Sequence, residues 1–443
     1  MNIPEIFVLW HPSCRLGEIL ARRIHAWLRP GNGLGPQVYY RSLQAPDAPP
    51  NGLPPPLQGE SRFIIPPGEE SPSSRITNLQ IVIALIDEHM VSDLAWRHWL
   101  TQLRTQGTSI RRTIIPVALD TTAYNTPPEL RELNFLRPAG LPLNNPDALL
   151  DAYEKQRLNQ NPSAEERQQA ETVELVVRSF LKQLTETLTR LLLPRSKTEV
   201  IAPQLDACDL APPKVSIFLS HAKADGRLPA QRLRDYIYSQ TQMAAFFDEN
   251  DIAFSSVFSK VLDTSLDSPT TAAMIAVRSA RYAERPWCRR EVSLFRKPRR
   301  IESESGPDGL SEHWRLHPLI VVEAMDDGSK SLGIPEFGNA PTVRWSPDIP
   351  DIEEQILTRV IRDALLGAYH AALASSISGK SGQLCLFLNW LPDPTTLLHV
   401  VRDHPNQELD IIYPGQGLAG AELDVLYEFF PQLWFCSFEE ILS

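Results

Sequence analysis

KVSIFLSHAKAD (Lys214–Asp225), AAFFDENDIAFSSVF (Ala244–Phe258) and AAMIAVRSARYAERPWCRREVSLF (Ala272–Phe295) are the three blocks on which the reading of this chain turns. Their apolar runs are Val215–Ser220, Met243–Asp248 and Ala273–Ser279, each followed by a polar loop and a helical pattern. Short continuous apolar runs are expected of strands buried on both faces, as in a parallel sheet with helices on either side. The loops carry the chemically unusual residues. These are Ser220, His221, Lys223 and Asp225 after the first run, Asp248–Ser256 after the second, and Trp287–Glu291 after the third. Ligand crevices of open parallel sheets lie at the carboxyl ends of the strands, where these loops fall.

The same alternation extends to either side. Toward the amino terminus, strands are expected at Glu5–Trp10, Gln37–Arg41, Leu79–Ile86 and Arg112–Asp120, with helices at Leu16–Leu28 and Asp93–Arg104. Residues 42–75, rich in Pro, Gly and Ser, read as loop. Residues 146–195 read as mainly helical, with a capping box at Ser163 and Glu166 and an apolar stripe of packing residues. Toward the carboxyl terminus, residues 303–312 read as polar loop, and Leu316–Glu323 and Thr342–Trp345 as strands. Asp351–Leu373 reads as a long helix, followed by strands Gln383–Asn389, Leu409–Tyr413 and Leu433–Cys436 and helices Thr395–Arg402 and Ala421–Phe430. The strand-loop-helix opening occurs three times, as EIFVLWHPS, VSIFLSHAK and LCLFLNWLP. The expected organisation is an α/β domain over 1–196, a linker over 197–212, a central flavodoxin-like parallel-sheet domain over 213–374 and a small α/β module over 375–443.

Composition narrows the function classes. A formal charge of −11 argues against a general nucleic-acid-binding surface. No apolar run approaches the ~20 residues of a membrane span, and MNIPEIFVLW lacks the basic start of a signal peptide. The five cysteines are scattered without metal spacing, so a reducing, cytoplasmic setting and no structural metal are expected. Arg296, Lys297, Arg299 and Arg300 form a basic cluster that reads as a solvated helix end, with a phosphate contact as the lesser alternative. Gly415–Gly420 spells GxGxxG, with Glu439 and Glu440 downstream; a tight turn accounts for it better than a nucleotide pocket, because Pro414 precedes it and the module is small.

IFLSHAKAD, FFDENDI, VRSARYAERPWCRRE and the late VRW together resemble the TIR (Toll/interleukin-1 receptor) family, over about residues 213–370. The resemblance implies a five-stranded flavodoxin-like sheet. Many bacterial and plant members cleave NAD at the nicotinamide glycosidic bond, using a glutamate four residues after a tryptophan. Here that spacing gives Glu291 as the catalytic residue and Trp287 as its neighbour. By itself a helical glutamate reads as a surface charge. Trp287, Ser220, His221, Lys223, Asp225, Asp248 and Phe254 become candidate nucleotide contacts, and Asp251, Ile252, Phe254 and Ser255 a candidate assembly loop, in which the family's common glycine is absent. The first unit looks like a degenerate member: QIVIALIDEHMVSDLAWRHWL aligns without a gap to TAAMIAVRSARYAERPWCRRE, setting Trp96 against Trp287 and Leu100 against Glu291.

The expectation is therefore an NAD glycohydrolase with NAD as substrate and no cofactor, an antiphage effector switched on by homo-oligomerisation through TIR–TIR contacts. A separate sensor or effector protein is a further possible partner; neither membrane nor direct nucleic-acid binding is expected. The alternatives are a non-catalytic TIR–TIR scaffold and a producer of a cyclic ADP-ribose-type signal.

Overall fold

The computed structural model describes residues 4–29, 34–42, 80–105, 112–138, 146–158, 160–193, 215–247, 270–301, 311–325, 333–375, 377, 384–405, 407–415 and 417–442. It is an α/β protein with three mostly parallel sheets flanked by helices. The described residues form two compact units, the first ending at Leu184 and the second beginning at Thr185.

The first unit contains β1 (Glu5–Trp10), α1 (Arg15–Leu28), β2 (Gln37–Arg41), β3 (Gln80–Ile86), α2 (Glu88–Ser92), α3 (Leu94–Thr105), β4 (Arg112–Ala118), α4 (Pro128–Arg131), α5 (Pro146–Arg157) and most of α6 (Ala164–Leu192). Its sheet order is β2-β1-β3-β4, all parallel. Leu136 adds a single parallel bridge to Val117, in the place of a fifth strand. The helix expected at Asp93–Arg104 is α3, whose start Asp93 caps by accepting from Ala95 N–H; a short further helix, α2, precedes it, capped by Asp87 through the Met90 N–H. The expected capping box opens α6, with Ser163 and Glu166 exchanging backbone-to-side-chain bonds of 2.7 and 3.2 Å.

The second unit holds two sheets. One comprises β5 (Ser216–His221), β6 (Ala244–Phe247) after α7 (Arg227–Gln240), and β7 (Thr271–Arg278) before α8 (Pro286–Phe295). The chain then forms β8 (Arg299–Arg300), β9 (Ser311–Arg315), β10 (Leu319–Glu323), β11 (Thr342–Arg344) and α9 (Ile352–Ala374). It closes with β12 (Leu384–Leu388), α10 (Pro394–Val401), β13 (Leu409–Tyr413), α11 (Gly420–Phe429), β14 (Leu433–Ser437) and α12 (Phe438–Leu442). The second sheet is parallel with order β6-β5-β7-β10-β11, the flavodoxin-like 2-1-3-4-5 winding. Every residue of β7 but its last is buried, which explains its unbroken apolar sequence.

The third sheet has the order β14-β13-β12-β9-β8, with only β8 antiparallel. Two corrections follow. Residues 303–312 were expected as loop, yet Ser311 and Glu312 open β9, a fully buried strand of sequence SEHWR. The strand expected over Leu316–Glu323 begins only at Leu319, because the chain changes sheets across Leu316–Pro318. Asn389 fixes this joint: its Oδ1 accepts from Leu316 N–H at 2.8 Å, and its Nδ2 donates to the carbonyls of Leu316 and Gly367. Helix α9 packs against strands of both sheets. Arg299 and Arg300 belong to a strand paired with β9, so the basic cluster is not simply a solvated helix end. Among the described residues no helix is long and apolar enough to cross a membrane.

Candidate functional site

In the second sheet the chain moves from β5 to one side through β6 and to the other through β7, β10 and β11. The carboxyl ends of β5 and β7 therefore flank the topological switch point, the favoured position for a ligand crevice in this winding. Ser220 and His221 are the last two residues of β5 and are buried. Glu291 lies on α8, which packs over β5, and is only 5% exposed.

Three polar side chains meet there. The Ser220 hydroxyl donates to Glu291 Oε2, and the Tyr282 hydroxyl lies 2.5 Å from Ser220 Oγ. Serine has one hydroxyl proton, and it goes to the carboxylate; Tyr282 must then be the donor in the second bond. Burial, reinforced by the neighbouring Glu291 and Cys288, holds the tyrosine pKa well above its ordinary value, so the phenol keeps the proton it donates. The result is a directed chain, Tyr282 to Ser220 to Glu291, in a setting where each bond polarises the next. Its remaining walls are apolar: Phe218, Met274, Ala276, Val292 and Phe295 form one buried cluster with Tyr282. Cys288, one turn before Val292 on α8, directs its thiol to the His221 carbonyl at 3.4 Å.

The other candidates separate by environment. Trp287 is 48% exposed, with the Arg290 guanidinium 5.5 Å from its ring centroid, so it lies at the rim one helical turn before Glu291. Lys223 is exposed. Asp225 is also exposed and ties the end of β7: its carboxylate accepts from Ser279 Oγ at 2.6 Å and from Arg281 N–H at 2.8 Å. Asp248, Asp251, Ile252, Phe254 and Ser255 lie outside the described residues, as does the rest of the Asp248–Ser256 segment. Tyr282 is the residue that the sequence reading missed. Its only signal was a polar-tipped aromatic at the start of the VRSARYAERPW block.

The GxGxxG stretch forms a turn between β13 and α11. Gly415 and Gly417 have φ of 98° and 116°, where only glycine is unstrained. The free N–H of Ala419 at the helix start is taken by Glu422 from the first turn, at 2.9 Å. That carboxylate stands where a phosphate would bind in a dinucleotide fold.

The first unit's counterpart corrects the ungapped alignment by one residue. Phe7 pairs with Tyr39 and Val82 and stacks on Tyr39 at 5.4 Å. Phe218 pairs with Phe246 and Met274 and stacks on Phe246 at 5.1 Å. Setting Phe7 on Phe218 and Val82 on Met274 places Leu9 on Ser220, Met90 on Tyr282, Trp96 on Cys288, Trp99 on Glu291 and Leu100 on Val292. The burial patterns of α3 and α8 agree in this register at Trp96/Cys288, Trp99/Glu291, Leu100/Val292 and Leu103/Phe295. Trp287 thus corresponds to Ala95, and Glu291 to Trp99.

No family model matches the chain, and no curated protein matches it.

Proposed function

We propose that the second unit is an NAD glycohydrolase in which Glu291 is the catalytic carboxylate. The reading is supported by one observation above the others: a buried glutamate, held by a directed Tyr282–Ser220 hydrogen-bond chain, at the switch point of a 2-1-3-4-5 sheet. Its counterpart in the TIR resemblance is the glutamate that follows the tryptophan by four residues.

The chemistry suits a single acid. In NAD the nicotinamide is a pyridinium. When its bond to ribose C1′ breaks, the electron pair goes to the ring nitrogen, and the base leaves neutral without protonation. Ordinary glycosides require a second carboxylic acid for that step. Positive charge develops on the ribose, and a carboxylate in an apolar surround stabilises it more strongly than one in water. Water then bonds to C1′ and releases one proton to solvent, giving ADP-ribose. Ser220, backed by Tyr282, donates to Glu291 Oε2 and aims the carboxylate. Trp287, exposed at the rim, offers an aromatic face to the nucleotide.

The burial of Glu291 also favours a second reading, a non-catalytic assembly module, because Oε2 is already occupied and little of the side chain meets solvent. In the enzyme reading, homo-oligomerisation opens the crevice and is the switch of a cytoplasmic antiphage effector. The two are separated by incubating NAD with the full chain at high protein concentration, beside Glu291→Ala, and identifying products by chromatography. Nicotinamide with ADP-ribose from the wild type alone supports hydrolysis, and a cyclic isomer assigns the signal-producing variant of the reaction. Equal turnover by both proteins removes Glu291 from the chemistry. No turnover by assembled wild type leaves the scaffold reading.

A further inference from the structure

From Pro405 to Ser443 the sequence holds no Lys, Arg or His, while Glu422, Asp424 and Glu428 stand on α11 and Glu439 on α12. These acids are exposed, and Asp424, Glu428 and Glu439 make no ion pair among the described residues. The same region leaves apolar surface bare. Of the residues of α11 only Leu426 is buried. Val425 and Phe429, 45% and 65% exposed, are four residues apart and so share one face of the helix. Trp434, 59% exposed, lies on β14, at the edge of the third sheet. A helix that is apolar beyond the stripe it buries against its own sheet has a second surface to cover.

The sign of the charge selects what covers it. A second copy presenting the same face would set acid against acid. An anionic membrane surface or a nucleic acid is repelled for the same reason. The complement stands elsewhere on this chain. Around the start of α8, Arg281, Arg285, Arg289 and Arg290 are all exposed, with the half-exposed Trp287 among them and Glu284 as the one exposed acid of the stretch. None of these arginines makes an ion pair among the described residues, and Arg290 lies over the Trp287 ring. Arg285 caps α8 and Arg289 follows it by four residues, the spacing of Asp424 and Glu428 on α11. Within one chain neither set answers the other, so the match is open between molecules.

We propose that the acidic, apolar face of α11 and β14 docks on the basic rim of α8 in a second copy of this chain. Each copy contributes a different face, so the contact is heterologous, and its repetition builds a ring or an open filament. The exposed aromatic and aliphatic side chains supply buried area, and the two charge sets fix which faces meet. This interface serves the assembly invoked for the proposed function. The contact itself rests on no chemistry at Glu291, and its test reads mass rather than turnover, so the two can fail separately.

The test is sedimentation and light scattering of the full chain over a concentration series, at salt of about 0.05 M and about 0.5 M. The wild type gains mass with concentration, and high salt reverses the gain. Asp424→Lys with Glu428→Lys makes the first face basic, and Arg285→Glu with Arg289→Glu makes the second acidic; each double variant alone is monomeric. Mixed in equal amounts, the two variants present opposite charges at every contact and regain wild-type assembly. Phe429→Ser, at an exposed position, weakens assembly at least tenfold. Circular dichroism and melting temperatures equal to the wild type's confirm that the variants are folded. A wild type that stays monomeric throughout the series overturns the proposal. So does either double variant that assembles like the wild type, or an equal mixture of the two that remains monomeric.

Discussion

At the strand ends of the first sheet Leu9, Met90 and Trp99 are buried in one apolar cluster; the corresponding positions of the second sheet hold Ser220, Tyr282 and Glu291. The surroundings are alike, with the same strand order, the same cross-strand aromatic stack and the same burial pattern along the covering helix. The first unit demonstrates that this architecture closes with three apolar residues. The second carries a carboxylate and two hydroxyls at the same depth, which costs desolvation that only complete hydrogen bonding offsets. A polar trio kept where an apolar one suffices is what the proposed function requires of this position.

Exchanging features between the two regions gives the strongest test of this contrast. Trp99→Glu puts a carboxylate where neither a serine nor a tyrosine donor stands, and the uncompensated charge should cost about 3–5 kcal/mol. Denaturant unfolding would show the first unit melting separately and early. Retention of a single cooperative transition at wild-type stability would mean that the two crevices differ less than their side chains suggest.

Smaller effects are expected within the second unit. Ser220→Ala removes the acceptor of the buried Tyr282 hydroxyl and the Ser220 donor to Glu291 Oε2, a loss of about 1–3 kcal/mol. It also frees the carboxylate to rotate, so NAD turnover should fall at least tenfold, and a variant of full activity would show that the chain does not position Glu291. Tyr282→Phe removes only the outer donor and should cost about 1 kcal/mol, measurable as a modest shift in denaturation midpoint without a change in slope. Trp287→Ala installs the residue found at Ala95 in the first unit. Because the ring is half exposed, stability should change by no more than about 0.5 kcal/mol, while KM for NAD rises if the ring receives the nucleotide. An unchanged KM assigns Trp287 to the surface alone.

Much of the fold was legible because parallel strands buried on both faces are written as unbroken apolar runs: β3 and β7 were found within two residues of their ends. β9 was not, since SEHWR carries two charges and a histidine. It is a strand because Arg300 and His404, 12 and 92 residues away in the chain, satisfy Glu312 inside the sheet together with Trp314 of the same strand. The slip of one residue between the two units arose from using Trp96 and Trp287 as anchors. One residue turns a helix by 100°, so a tryptophan in the core and one at the rim look equivalent in sequence and are not. Glu291 stood out only through its spacing from Trp287, and nothing local revealed that Ser220 and Tyr282 hold it. That contact joins residues 71 positions apart in the chain.

The most direct measurement is nicotinamide release from NAD by assembled full-length protein and by Glu291→Gln, which preserves the shape of the side chain and removes its charge. The account predicts a loss of at least about 10²-fold, the scale expected when one transition-state stabiliser is removed, with a melting temperature at or above that of the wild type. Nicotinamide release within a few-fold of wild type by a well-folded Glu291→Gln would contradict it.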